Sequence, residues 1–85
     1  MSNEHEDFEE RVREEVERAQ RDHGRDYASD HEAFAVLLEE VEEVKLWVWR
    51  KRNERDCRAM IGELVQIAAV ATKWAEMLAR RGSPK

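Results

Sequence analysis

Apolar residues recur every three or four positions along three stretches of the chain, with charge filling the gaps. The first stretch carries Phe8, Val12, Val16 and Ala19, a thin stripe that predicts a helix over roughly residues 4–22. A stripe this narrow needs a partner to be stable. Gly24 is placed to end that helix, and "GRDYASD" reads as a connector. "SDHE" (Ser29 to Glu32) fits a capping box, in which a Ser hydroxyl and a Glu carboxylate satisfy free amides at a helix start. The second helix is expected over about 31–52, with Phe34, Leu37, Leu38, Val41, Val44 and Val48 on one stripe. "RNERD" interrupts the pattern, and Asn53 offers a cap for a third helix over about 54–80. That helix has the fullest stripe: Cys57, Met60, Ile61, Leu64, Ile67, Ala68, Ala71, Trp74, Ala75 and Leu78. Gly82 and Pro84 then stop it. The short link between the last two helices favours an antiparallel hairpin.

Four glutamates, Glu39, Glu40, Glu42 and Glu43, crowd the middle of the second helix. A helix turns about 100° per residue, which fixes where each one points. With Glu40 at zero, the apolar stripe runs from roughly +40° (Val44) to +160° (Leu38), and Glu43 falls near −60°. Val36 and Trp47 lie beside the two acids, whereas Glu39 and Glu42 turn toward water. Glu40 and Glu43 thus form an i,i+3 pair on the shoulder of the stripe, able to reach one point. The third helix repeats the layout: Glu63 stands on its shoulder, with Gln66 three positions on and Ala59 and Val70 alongside. Antiparallel packing of the two stripes would bring these shoulders together. Clustered carboxylates repel unless a positive charge joins them, and an all-oxygen set suits a hard cation such as Mg²⁺ or Mn²⁺. The competing reading is a solvated charged face, the ordinary role of i,i+3 glutamates.

Composition narrows the picture. The 85 residues are enough for one small domain, and charged and hydrophobic residues each make up 41% of them, a helical mixture. The net charge of −5 argues against a nucleic-acid partner. Charge is also uneven: residues 1–43 hold 16 acids and 5 bases, residues 44–85 hold 4 acids and 10 bases. The halves can therefore attract each other, within a chain or between copies. One cysteine, Cys57, allows no intrachain disulfide and no cysteine zinc site, and a single thiol suits a reducing cytoplasm. The three histidines lie too far apart for an HExxH site. The acidic start is not that of a secretory signal, and no apolar run approaches the roughly 20 residues that span a bilayer.

At the shoulder acids the sequence resembles the MazG-like members of the all-α NTP pyrophosphatase superfamily. These carry an EExxE element on one helix and an ExxD element on the next. Here the elements are "EEVEE" (Glu39, Glu40, Glu43) and "ELVQ" (Glu63 to Gln66), with nineteen residues between Glu43 and Glu63. The flanks "HEAFAVLLEEVEEV" and "ELVQIAAVATKWAE" look like short phage and prokaryotic members, and the resemblance covers about residues 29–80. It implies Mg²⁺-dependent hydrolysis of nucleoside triphosphates to monophosphate and pyrophosphate, a house-cleaning activity on the nucleotide pool. It also implies that Glu40, Glu43 and Glu63 are catalytic metal ligands, with Glu39 a helper and Gln66 in the last ligand position. Gln66 departs from the pattern: an amide oxygen can ligate, but it carries no charge and cannot act as a base. The alternative is therefore a catalytically degenerate relative that binds nucleotide or a protein partner without turnover. A plain helical oligomerisation module is a third reading.

Arg50, Lys51, Arg52, Arg55 and Arg58 cluster around the hairpin turn. Arg50, Lys51 and Arg55, with Trp47 to stack on a base, are the candidate substrate-binding residues. The competing reading is a solvated basic turn that complements a helix C-terminus. Trp49 falls opposite the acids and points to a second buried face, hence to oligomers. Cys57 is expected in the core, and His31, in the first turn of its helix, is read as structural or exposed. The whole is an all-α chain: an N-terminal helix and connector (1–28), a helical hairpin (29–81) and a short tail (82–85). The hairpin is expected to pair with another copy into a four-helix core, as a homodimer or homotetramer.

Overall fold

The computed structural model describes residues 4–82. Three helices account for most of them: α1 (Glu4–His23), α2 (Asp30–Val48) and α3 (Cys57–Arg81), with a single 3-10 turn (Arg52–Glu54) before the last. The described residues contain no strand, and none of their helices is long and apolar enough to cross a membrane.

Local chemistry sets the boundaries. Gly24 adopts a φ of 94°, open to glycine at little cost, and its N–H donates to the Gln20 carbonyl at 2.9 Å. At the start of α2 the Ser29 hydroxyl accepts from the Glu32 N–H at 3.1 Å, and the Glu32 carboxylate accepts from the Ala28 N–H at 2.6 Å. This is the expected capping box with its return bond one residue early. The turn after α2 differs from expectation. Arg55 folds back, donating from Nε to the Arg50 carbonyl at 3.1 Å and from Nη2 to the Val48 carbonyl at 2.8 Å. α2 therefore stops at Val48, short of residue 52. Asn53 lies inside the 3-10 turn and caps nothing. Asp56 is the cap, accepting from the Arg58 and Ala59 amides at 3.0 and 3.2 Å, so α3 begins at Cys57. The Gly82 N–H closes α3 on the Leu78 carbonyl at 2.8 Å. Pro84, the other expected stop, lies outside the described residues.

α2 and α3 form the antiparallel hairpin. The start of α2 is tied to the end of α3 by Trp74 Nε1 donating to Asp30 at 2.8 Å and by an Arg80–Asp26 ion pair. α1 packs on α3 and lies across it. Arg13 reaches Glu76 at 3.1 Å, whereas the Arg11 guanidinium sits 4.0 Å from the Cβ position of Gly62. Positions 62 and 76 are about 21 Å apart along α3, while residues 11 and 13 are only about 3 Å apart along α1. Two near neighbours on α1 thus reach in opposite directions along α3.

The buried core is Val16 from α1, Ala33 from α2, and Val65, Ala69, Val70 and Met77 from α3, with Lys73 among them. This corrects the expected core. Much of the α3 stripe turns away from its own chain: Ile61, Leu64 and Leu78 are exposed, as is Cys57, while Met60, Ile67 and Trp74 are half-buried. The stripe of α2 is open as well at Phe34, Leu38, Val41 and Val48. What packs within the chain is the shoulder arc of α2 and α3, whereas α1 packs with its expected stripe, Val16 at its centre. On α3 the buried arc meets both neighbours, α2 and α1, so it is covered from two sides while the stripe is left open. In an antiparallel pair both stripes emerge on one side of the hairpin, opposite the side that α1 covers.

Candidate carboxylate site

Glu40 lies in the centre of the arc that α2 turns toward α3. One turn on, Glu43 projects from its edge, and Glu63 faces both from α3. A carboxylate oxygen from each of Glu40, Glu43 and Glu63 lies within 4.8 Å of the others. Glu40 and Glu63 are half-buried and Glu43 is exposed. The expected meeting of the two shoulders is therefore present, by direct contact of the shoulders and not by contact of the stripes.

The electrostatics follow from this crowding. Burial, then the neighbouring charges of Glu43 and Glu63, push the Glu40 carboxyl up to about 7. Burial and Glu43 also raise Glu63 above the ordinary carboxylate range. Both shifts express one fact: three negative charges in a partly dry space favour keeping a proton. A bound cation relieves the same repulsion, and three hard oxygens are a donor set that fits Mg²⁺ or Mn²⁺. Glu39 is exposed and stands outside this trio, acting on Glu40 only through its charge.

Gln66, in the fourth position of the second element, is half-buried and sits against α1. The Arg18 guanidinium holds the Glu15 carboxyl below its ordinary range, and the Gln66 side chain helps. α1 thus places a carboxylate next to the Gln66 amide.

Behind Glu40 opens a cavity of about 350 Å³ between α1, the connector and the hairpin. Val36, Ala69 and Val70 give it apolar walls, and Glu40 and Gln66 close the end nearest the carboxylates. At the other end Tyr27 lies under Lys73, whose Nζ is 4.3 Å from the ring centroid. Burial, with the charges of Glu32 and Glu40, raises the Tyr27 phenol, so the connector and α2 share one electrostatic environment. Neither Tyr27 nor Lys73 was marked by periodicity. One signal was present: Lys73 is the only base between Arg58 and Arg80, two turns after Gln66 on the same helix face.

The expected substrate residues are engaged with each other and with the turn. The Arg50 guanidinium stacks 4.0 Å over the Trp47 ring. Arg55 caps the C-terminal end of α2, and Lys51 is exposed. Trp47 shares the Glu40 side of α2, two turns further on. The chain matches no family model, no curated protein and no solved structure.

Proposed function

We propose that this protein is a Mg²⁺-dependent nucleoside triphosphate pyrophosphohydrolase of MazG-like type, releasing pyrophosphate and a nucleoside monophosphate. The observation that carries the reading is the convergence of Glu40, Glu43 and Glu63, from two helices, within 4.8 Å. Residues 23 apart in the chain meet at one point, and they are the residues that the family resemblance names. A bound Mg²⁺ supplies charge neutralisation for the triphosphate and acidifies a water ligand. The chain's own part is to hold three oxygen donors, to keep the space partly dry, and to admit the triphosphate beside α2.

The bare apolar side of the hairpin supports assembly. Phe34 is 56% exposed and Leu64 45%, in a row that crosses both helices opposite α1. Pairing this face with that of a second copy makes a four-helix core, as a dimer. The opposite charges of the chain's two halves favour such pairing.

Gln66 favours a second reading, a relative that keeps nucleotide binding without turnover. Pyrophosphate release from a panel of triphosphates with Mg²⁺ or Mn²⁺ decides between them, with Glu43→Gln alongside. Metal-dependent release that Glu43→Gln loses supports the enzyme. A folded protein that binds metal and releases nothing supports the relative.

A further inference from the structure

The buried Lys73 has no role in the fold that explains its charge. The residue is 3% exposed. Among the described residues its ammonium makes no ion pair or hydrogen bond, and its one partner is the Tyr27 ring. A ring face steadies a cation but accepts none of its three N–H donors in the way an oxygen does. Among the described residues no fully buried side-chain nitrogen or oxygen lacks a partner, so the Lys73 stem is buried while its ammonium stays open to the cavity and free to donate to what fills it. The ammonium lines the cavity behind Glu40, where a ligand could reach it.

The cavity selects what that ligand is. Its walls carry Glu15, Asp26, Glu32 and Glu40 against Arg18 and Lys73. A phosphate would meet more negative than positive charge there. A flat neutral group with its own acceptor and donor would meet Val36 and Val70 on its faces and polar groups at its edges. Lys73 stands ten residues beyond Glu63, about 15 Å along α3. Glu40 belongs both to the cavity wall and to the carboxylate cluster, so the two spaces are contiguous.

We propose that the Tyr27–Lys73 cavity is the nucleobase subsite, where Lys73 donates to an exocyclic carbonyl oxygen and so favours oxo bases over their amino counterparts. This deepens the pyrophosphohydrolase reading and rests on its placing of the triphosphate at the carboxylate cluster. An amino group at that position turns a donor toward the ammonium and displaces the solvent that otherwise accepts from it. Hypoxanthine against adenine, and uracil against cytosine, are the pairs that differ at this atom.

The test compares kcat/KM for ITP with ATP and for UTP with CTP, in the wild type, Lys73→Met and Lys73→Arg. Calorimetric binding of IMP and AMP is measured beside it, since it needs no turnover. The wild type is expected to favour the oxo member of each pair by about tenfold or more, and Lys73→Met to bring the ratios within about twofold. Lys73→Arg keeps a preference. Circular dichroism checks that the variants fold. Should Lys73→Met fail to fold, the wild type still decides: equal kcat/KM within each pair and equal IMP and AMP affinity overturn the subsite. A wild-type preference that Lys73→Met leaves intact overturns it too. Turnover without oxo preference sinks the subsite and spares the pyrophosphohydrolase. IMP favoured over AMP through Lys73, with no triphosphate hydrolysed, spares the subsite and sinks the enzyme.

Discussion

Glu40 on α2 and Glu63 on α3 bring carboxylate oxygens within 4.8 Å of each other, although α2 ends and a whole turn intervenes between them. Two like charges at that separation are unfavourable in the free protein, and the fold holds them there.

The first expectation concerns pH. Glu40 titrates near 7 in the folded chain and near its ordinary value once unfolded. Between those values the folded state binds more protons at Glu40, so that residue's contribution to stability is full below about 4.5 and is lost as pH rises through about 7. Thermal melts of the metal-free protein from pH 5 to pH 8 should show a falling Tm. Glu40→Gln should flatten the trend; an equally steep fall in that variant would assign it elsewhere.

Divalent cation should reverse this loss. A ligand that binds only the folded state adds about 2.7 kcal/mol at a hundred times its Kd. Mn²⁺ or Mg²⁺ at pH 7.5 is expected to raise Tm in the wild type and to have little effect in Glu43→Gln or Glu63→Gln. A wild-type Tm indifferent to both ions would count against the metal centre.

Gln66→Asp separates charge from packing. The change adds a negative charge near Glu15 and removes the amide that steadies it. Without metal the variant should melt lower than wild type, and it should bind Mn²⁺ more tightly, as titration calorimetry can show. If affinity is unchanged, position 66 does not contribute to the metal site.

Arg55 tests the turn. It holds two main-chain carbonyls at the end of α2. In this exposed setting, Arg55→Ala should cost about 1–2 kcal/mol in urea unfolding. The KM for triphosphate should hardly change. A large rise in KM with unchanged stability would instead make Arg55 a substrate ligand.

The bare face is tested by charge. Leu38→Glu and Leu64→Glu place carboxylates on residues that are exposed in the single chain, so a monomer loses little stability. If a second copy covers this face, sedimentation should show the wild type as a dimer or larger and the variants as monomers. A monomeric wild type ends the assembly proposal.

The three helices were legible in the order of residues, because 3.6-residue periodicity, Gly24 and the Ser29–Glu32 cap act locally. The shoulder positions of Glu40, Glu43 and Glu63 were legible for the same reason: helical angle is a property of spacing. Which arc packs within the chain was not. Periodicity weights large apolar residues, so it favoured the stripe of Ile61, Leu64 and Leu78. The tertiary structure buried the arc of Ala69, Val70 and Met77 instead, because that arc faces α1 and α2 together. Cys57 opens α3 beside the exposed turn and so stays out of the core, and Asp56, not Asn53, is the cap once Arg55 folds the turn back. Burial of Lys73 over Tyr27 lay beyond any local rule. It depends on α1 crossing α3 and on the connector closing over the gap, contacts between residues far apart in the chain that no local spacing encodes.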